Sequence, residues 1–208
     1  MANVISHSLF TEFDINLFKA GKHFRLYEKF GSHSLTFDGV LGTYFAVWAP
    51  SAAKVSVIGD FNYWTDGEHV LNVRWDDSGI WEGFIPGVTS GAAYKYKIHS
   101  SIGGVISEKA DPYARRSEHP PKTASIVWRD SYEWKDTSWM QSRKDKNNLE
   151  APFSVYEIHL GSWRKHVEEN RFLSYVELAE LLVDYIKEMN FTHVEFMPIM
   201  EFPYDPSW

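Results

Sequence analysis

The chain has 208 residues, 44% of them hydrophobic and 24% charged, enough for one or two soluble globular domains with a sizeable core. Its formal net charge of −7 leaves no basic footprint for non-specific nucleic-acid binding, whereas an acidic balance suits a neutral partner such as a polysaccharide without selecting one. It has no cysteine, which excludes disulfides, thiol nucleophiles and cysteine zinc sites and agrees with a cytoplasmic location. Met1 to His7 lacks the basic start and apolar run of a signal peptide, and no stretch approaches the roughly 18 apolar residues of a membrane span, so no membrane partner is expected. In chain order, Asp14 to Lys19 is predicted as a short helix with Asp14 as N-cap and Gly21 just past its end. A second short helix is predicted from His23 to Phe30, stopped by Gly31, which makes residues 1–40 an N-terminal helical segment.

Strand signals then dominate 41–130. Tyr44 to Trp48 ends before Pro50, and Lys54 to Ile58 ends at Gly59. Val73-Arg74-Trp75 and Ile80 to Phe84 flank Asp76-Asp77-Ser78-Gly79, a hairpin signal. Tyr94-Lys95-Tyr96-Lys97-Ile98-His99 alternates apolar with polar, so one face is predicted buried and the other wet, and Gly103-Gly104 turns the chain. Short strands at regular spacing predict an all-β, immunoglobulin-like sandwich. Residues 131–152 read as a polar linker closed by Ala151-Pro152. In 153–208 the period changes: a strand over Val155 to Leu160, a capping box at Ser174-Tyr175-Val176-Glu177, a helical stripe of Leu178, Leu182, Tyr185, Ile186 and Met189 with Asn190 as its stop, and a second strand over His193 to Met197. That is one β-α-β unit, with parallel strands. A parallel pair with one helix is not a stable domain by itself, so this part reads as incomplete.

Three segments carry a resemblance. Thr43 to Pro50, followed by Val55-Ser56-Val57-Ile58-Gly59-Asp60-Phe61-Asn62-Tyr63-Trp64, resembles the family-48 carbohydrate-binding module, which precedes the barrel in branching and debranching enzymes and has a relative in the glycogen-binding region of AMP-activated kinase. Val155 to Trp163 resembles the first barrel strand of branching enzymes of the α-amylase superfamily (glycoside hydrolase family 13). Thr192 to Glu201, running into Pro203-Tyr204-Asp205-Pro206-Ser207-Trp208, resembles the second barrel strand and the loop leading to the donor-sugar site, although Phe202 and Pro206 stand where that family often has His and Gly. The last two motifs favour glycogen branching enzymes over isoamylases, pullulanases and trehalose-releasing relatives.

The resemblance implies a sandwich module followed by the first β-α-β unit of a (β/α)8 barrel, a fold that needs about 250 residues when complete. It implies cutting an α-1,4 bond, holding the glucan as a covalent glycosyl-enzyme and transferring it to a 6-hydroxyl. Two carboxylates about 5 Å apart do this in retaining enzymes. The family's nucleophile, acid/base and third aspartate belong to motifs that do not occur in this sequence, so no residue is assigned as catalytic and the 208 residues are expected to show no branching activity alone. A non-enzymatic α-glucan-binding protein, and a debranching or trehalohydrolase relative, remain as alternatives.

The chain holds nine Trp, eleven Tyr and fourteen Phe, which serve either a core of large side chains or stacking on the apolar face of a pyranose. The resemblance gives Trp64 and Lys95 as sugar-contacting residues of the module, and Val105-Ile106 stands where a second Trp of the glycogen-binding modules would fall. Against this, Trp64 can equally plug the sandwich edge. Glu157 with His159, and His193 with Glu195, share strand faces and suggest a hydrogen-bonded polar layer inside the barrel. Glu201, Asp205 and Trp208 follow the second strand, where barrel enzymes build their sites, and are candidate substrate-binding residues. The nine histidines show no metal-ligand spacing, and no metal or cofactor is expected.

Overall fold

The computed structural model describes residues 4–129 and 132–199, which divide into two compact units, 1–131 and 132–208. The elements of the first unit are α1 (Glu12–Lys19), β1 (Gly31–Phe37), β2 (Val40–Trp48), β3 (Ala52–Gly59), β4 (Asn72–Val73), β5 (Ile80–Pro86), β6 (Ala93–Ser100), β7 (Ile106–Lys109), β8 (Arg116–Ser117) and β9 (Ser125–Ile126). They form two antiparallel sheets, one in the order β1-β2-β5-β4 and the other β3-β6-β9-β8, with β7 also pairing β6. The predicted alternation on β6 is visible: Tyr94 and Tyr96 are fully buried while Lys95, Lys97 and His99 reach the surface. Those tyrosines meet Phe45, Val47, Val55, Val57 and Trp81 in a core between the sheets, which makes this unit a β-sandwich.

The first sheet is buried on its outer face as well. There Tyr44, Ala46, Ile80 and Phe84 pack against Phe10, Ile15 and Phe30. This explains the unbroken burial of β5 from Ile80 to Ile85, which a half-wet strand would not show. The N-terminal segment is thus a third layer, and it differs from expectation in three places. Thr11, not Asp14, is the N-cap of α1: Asp14 sits three residues on, its carboxylate accepting from the Thr11 backbone at 2.8 Å while Thr11 Oγ1 accepts from the Asp14 backbone at 3.2 Å. The helix expected over His23–Phe30 is only a 3-10 turn, Leu26–Glu28. A strand, β1, begins at Gly31 inside the region expected to be helical, paired with β2 from Gly31↔Ala46 to Phe37↔Val40 around Asp38-Gly39. Both turn residues take positive φ, +48 and +78, the geometry of a two-residue hairpin.

A polar network stitches this layer to the sheet. Glu82, on β5, is buried and accepts from the Tyr44 hydroxyl, from Ser8 Oγ at 2.9 Å and from Arg74 Nη1 at 2.6 Å. Burial first, then the adjacent Glu82 carboxylate, push the Tyr44 phenol far above its usual range, so it stays a donor.

The second unit comprises α2 (Thr137–Lys146), β10 (Val155–Ile158), α3 (Leu160–Trp163), β11 (Lys165–His166), β12 (Arg171–Phe172), α4 (Tyr175–Glu188) and β13 (His193–Phe196). Helix α2 lies within the segment read as linker. It has no buried residue and therefore no apolar stripe to announce it. β10 and β13 are parallel, Val155↔His193 through Ile158↔Phe196, with α4 between them in sequence. The capping box forms as predicted, Ser174 Oγ accepting from the Glu177 backbone and the Glu177 carboxylate accepting from the Ser174 backbone at 2.7 Å. Asn190 follows the helix at φ +57, a left-handed stop that Asn tolerates. Leu178 and Leu182 are buried with Ile158, but Met189, expected on the same stripe, is 51% exposed. No helix among the described residues is long and apolar enough to cross a membrane.

Replacing Glu82 with Ala takes the carboxylate acceptor from the buried Tyr44 hydroxyl and leaves Arg74 with Asp76 as its remaining acidic partner. The Glu82→Ala variant should lose about 1–3 kcal/mol of stability, read as a shift in the urea midpoint of the first unit.

Candidate functional site

The residues picked out as a sugar contact sit at one end of the β3-β6 pair. Lys95 lies opposite Ile58, and Tyr94 opposite Gly59. From Gly59 the chain makes a 3-10 turn, Asp60–Asn62, and then Tyr63 and Trp64 take left-handed backbone, φ +52 and +59. Two consecutive aromatic residues there are strained, by roughly 1–2 kcal/mol each, and persist only if their surroundings over-determine them.

The surroundings do. Asn62 is buried, and its side-chain oxygen accepts from the Gly59 backbone at 2.8 Å while its amide nitrogen donates to Val57 O at 2.9 Å and lies 2.8 Å from His69 Nδ1. The backbone N–H of Trp64 donates to Gly59 O and that of Thr65 to Asn62 O, both at 2.9 Å. Gly59 must be glycine, because a Cβ there would come within 2.3 Å of Ala93 O. Phe61 is the loop's anchor to the core, its ring edge-on to His69 at 5.4 Å and 6.5 Å from Phe45.

The far end of the loop is fixed by charge. Asp66 accepts from Ser56 Oγ at 2.8 Å, lies 2.6 Å from His99 Nε2 and pairs with Lys54 Nζ at 3.2 Å. Burial works to raise its pKa, but the hydrogen bonds from Ser56, His99 and Lys54 prevail and bring it down to about 2. Between these pins stands the Trp64 ring, 37% exposed, its Nε1 donating to Asp60 Oδ1 at 3.1 Å. Tyr63 beside it is 92% exposed. Lys95 is half-buried and donates through Nζ to Thr123 Oγ1 at 2.8 Å. The register thus brings Trp64 and Lys95 to the same end of the sheet. Glu201, Asp205 and Trp208 lie outside the described residues.

The site is an open surface. Two clefts of this unit, about 480 Å³ by Tyr27, Tyr113 and Arg115 and about 370 Å³ along β1 by Arg115 and Trp128, are lined by neither Trp64 nor Lys95. Val105 and Ile106 are both more than half exposed and supply no second ring. In the second unit Glu157 and Glu195 are direct neighbours across the parallel pair, yet both are exposed where a polar interior was expected. His159 has left the strand to bond Ser162 Oγ at 3.0 Å, and His193 Nδ1 lies 2.8 Å from Thr192 Oγ1. Among the described residues no group of three or more His, Asp or Glu could hold a metal ion.

Residues 29–114 match the family described as carbohydrate-binding module 48 (isoamylase N-terminal domain). Over 202 residues, 97% of the chain, it is 51% identical to the 1,4-alpha-glucan branching enzyme GlgB of Aquifex aeolicus, and over 198 residues, 95% of the chain, 52% identical to that of Albidiferax ferrireducens. By sequence the chain is similar to part of these branching enzymes. It spans about a third of the length of these relatives, 32% and 31%. Among solved structures, a Klebsiella pneumoniae pullulanase complexed with maltotriose superposes with a TM-score of 0.58 over 85% of this chain and 18% of its own, at 22% identity, a likeness of fold.

Within this unit, the pins on the Trp64 loop leave no mark in the sequence. Ser56, Asp66 and His99 are spread over more than forty positions and meet only through the β3-β6 register. Because the Asp66 pKa falls from an ordinary 3.8 to about 2 on folding, its contribution is complete above pH 4 and is lost as pH falls towards 2. Asp66→Asn should therefore cost about 1–2 kcal/mol at pH 7, and the gap to the parent protein should close in thermal melts between pH 4 and 2.

Proposed function

We propose that this protein acts in glycogen biosynthesis as a 1,4-α-glucan branching enzyme, with the sandwich unit as its glucan contact and the second unit as the opening β-α-β of its (β/α)8 barrel. The observation that carries the glucan contact is the loop of Gly59 to Gly67, which holds the Trp64 ring on open surface with its indole N–H already satisfied by Asp60. An apolar ring face with its polar edge occupied is suited to stack on a pyranose. Open surface, as opposed to a closed pocket, accepts the interior of a long polymer. Lys95, at the same end of the sheet, can turn from Thr123 to a sugar hydroxyl. Glu201, Asp205 and Trp208 are proposed for the rim of the donor-sugar site, on the resemblance of their segment alone. The cytoplasm is the proposed location.

Support for the barrel comes from the parallel β10–β13 pair and its intervening helix α4, the repeating unit of that fold. The chemistry then consists of bond cleavage and transfer through a retaining carboxylate pair about 5 Å apart. No residue of this chain is assigned to that pair. Glu157 and Glu195 lie side by side on the strands themselves, before the loops that carry catalytic groups in barrels.

Glycogen co-sedimentation tests the glucan contact. The parent chain should pellet with glycogen, and Trp64→Ala should reduce the bound fraction by roughly tenfold in affinity with its fold intact by circular dichroism. An iodine-stain assay on amylose run with the same samples should show no branching. A shifted iodine spectrum would mean that the carboxylate pair lies within these 208 residues.

A further inference from the structure

The Trp64 loop contains a second aromatic ring that the fold does not use. Tyr63 holds left-handed backbone at φ +52, ψ +33, a conformation in which Asn or Gly is at ease and a tyrosine is strained. A buried residue can recover such strain through packing. Tyr63 does not: it is 92% exposed, and among the described residues its side chain has no hydrogen bond, ion pair or ring contact. Its neighbours all do structural work. Asn62 knits the turn, Phe61 anchors it, Asp60 fixes the Trp64 indole and Asp66 ties down the exit.

We propose that Tyr63 is a second glucan-contacting residue, laying its ring on a sugar unit beside the one that Trp64 covers. This rests on the reading of Trp64 as a glucan contact. The chemical class of ligand is an α-1,4-linked glucose chain of at least two units, recognised by two adjacent ring faces with the phenol hydroxyl free to exchange hydrogen bonds with a sugar hydroxyl. The left-handed pair matters because it places both rings on one short turn whose backbone is held at Gly59, Asn62 and Asp66, so binding orders side chains but not the loop. The cost is stability, as expected of strain kept at a functional site.

The test separates stability from binding. Three variants of the 208-residue chain, Tyr63→Asn, Tyr63→Phe and Trp64→Ala, are melted and titrated with glycogen and with maltoheptaose. Tyr63→Asn should raise the melting temperature by roughly 2–4 °C, because Asn relieves the left-handed strain. The same variant should bind roughly 5- to 10-fold more weakly, because a ring face is lost. Tyr63→Phe, which keeps the ring, should stay within about twofold of the parent in binding. If Tyr63→Asn binds like the parent while Trp64→Ala does not, the proposal for Tyr63 is overturned and the Trp64 reading stands. If Tyr63→Asn lowers both melting temperature and binding, the ring is structural and the proposal is overturned as well. If Trp64→Ala itself binds like the parent, the glucan reading of the loop fails, and the claim for Tyr63 falls with it.

Discussion

The space between the two sheets is organised by a buried carboxylate. Asp111, 5% exposed, accepts from the Tyr94 hydroxyl at 2.6 Å, from the Tyr96 hydroxyl at 3.0 Å and from the Tyr113 backbone at 2.8 Å. The Tyr96 oxygen also lies 3.3 Å from Ala46 O, on the opposite sheet. Two large phenols can fill the space between the sheets only if their polar ends are satisfied there. Burial raises the Asp111 pKa, and the Tyr94 hydrogen bond pulls back against it. With the phenols seated, β6 is fixed against β3, and that register is what carries Lys95, His99 and the Trp64 loop to their places.

From this fixed frame the loop inherits its geometry. A β-strand end normally frays into a mobile turn. Here Asn62 replaces the missing ladder partners with its own amide, and Asp66 adds a salt-linked clasp to the strand beneath. Asn62 is therefore a structural member of the Gly-Asp-Phe-Asn-Tyr-Trp run, although it sits among residues that face solvent. The same run thus mixes two kinds of residue, those that hold the turn and those the turn holds out. Burial separates them: Phe61 and Asn62 turn inward, while Tyr63 and Trp64 point outward.

How much of this could be read from the sequence follows from which interactions are local. The β6 alternation, the Asp76–Gly79 hairpin and the Ser174 capping box are all short-range, and each stands where its pattern put it. Strand β1 was missed because its residues, Ser32-His33-Ser34-Leu35-Thr36, are mostly polar, and its pairing with β2 decides the matter. Asp38-Gly39 was the available signal for that hairpin, since both residues must accept positive φ. Helix α2 escaped for the opposite reason, having no buried side to impose a period. In the site, Trp64 and Lys95 stood out through resemblance to a known module. The Asp66 clasp and the exposed strain at Tyr63 did not, because backbone dihedrals and long-range registers leave no mark on residue spacing.

The two units differ in how far they complete themselves. The sandwich encloses one core between its sheets and a second under its N-terminal layer. In the second unit the described buried apolar side chains are Ile158, Leu178 and Leu182, while Val155, Phe196 and Met197 of the same strand pair and its end are each at least 40% exposed. A two-stranded parallel sheet covered by one helix buries too little apolar surface to offset its chain entropy. Parallel strands with apolar residues on both faces are the mark of a sheet flanked by further strands and helices. Glu157 is paired directly with Glu195. Like charges opposite each other are unfavourable on an exposed face and become tolerable only when further donors surround them. The strand pair thus leaves both apolar side chains and a pair of like-charged carboxylates on exposed surface.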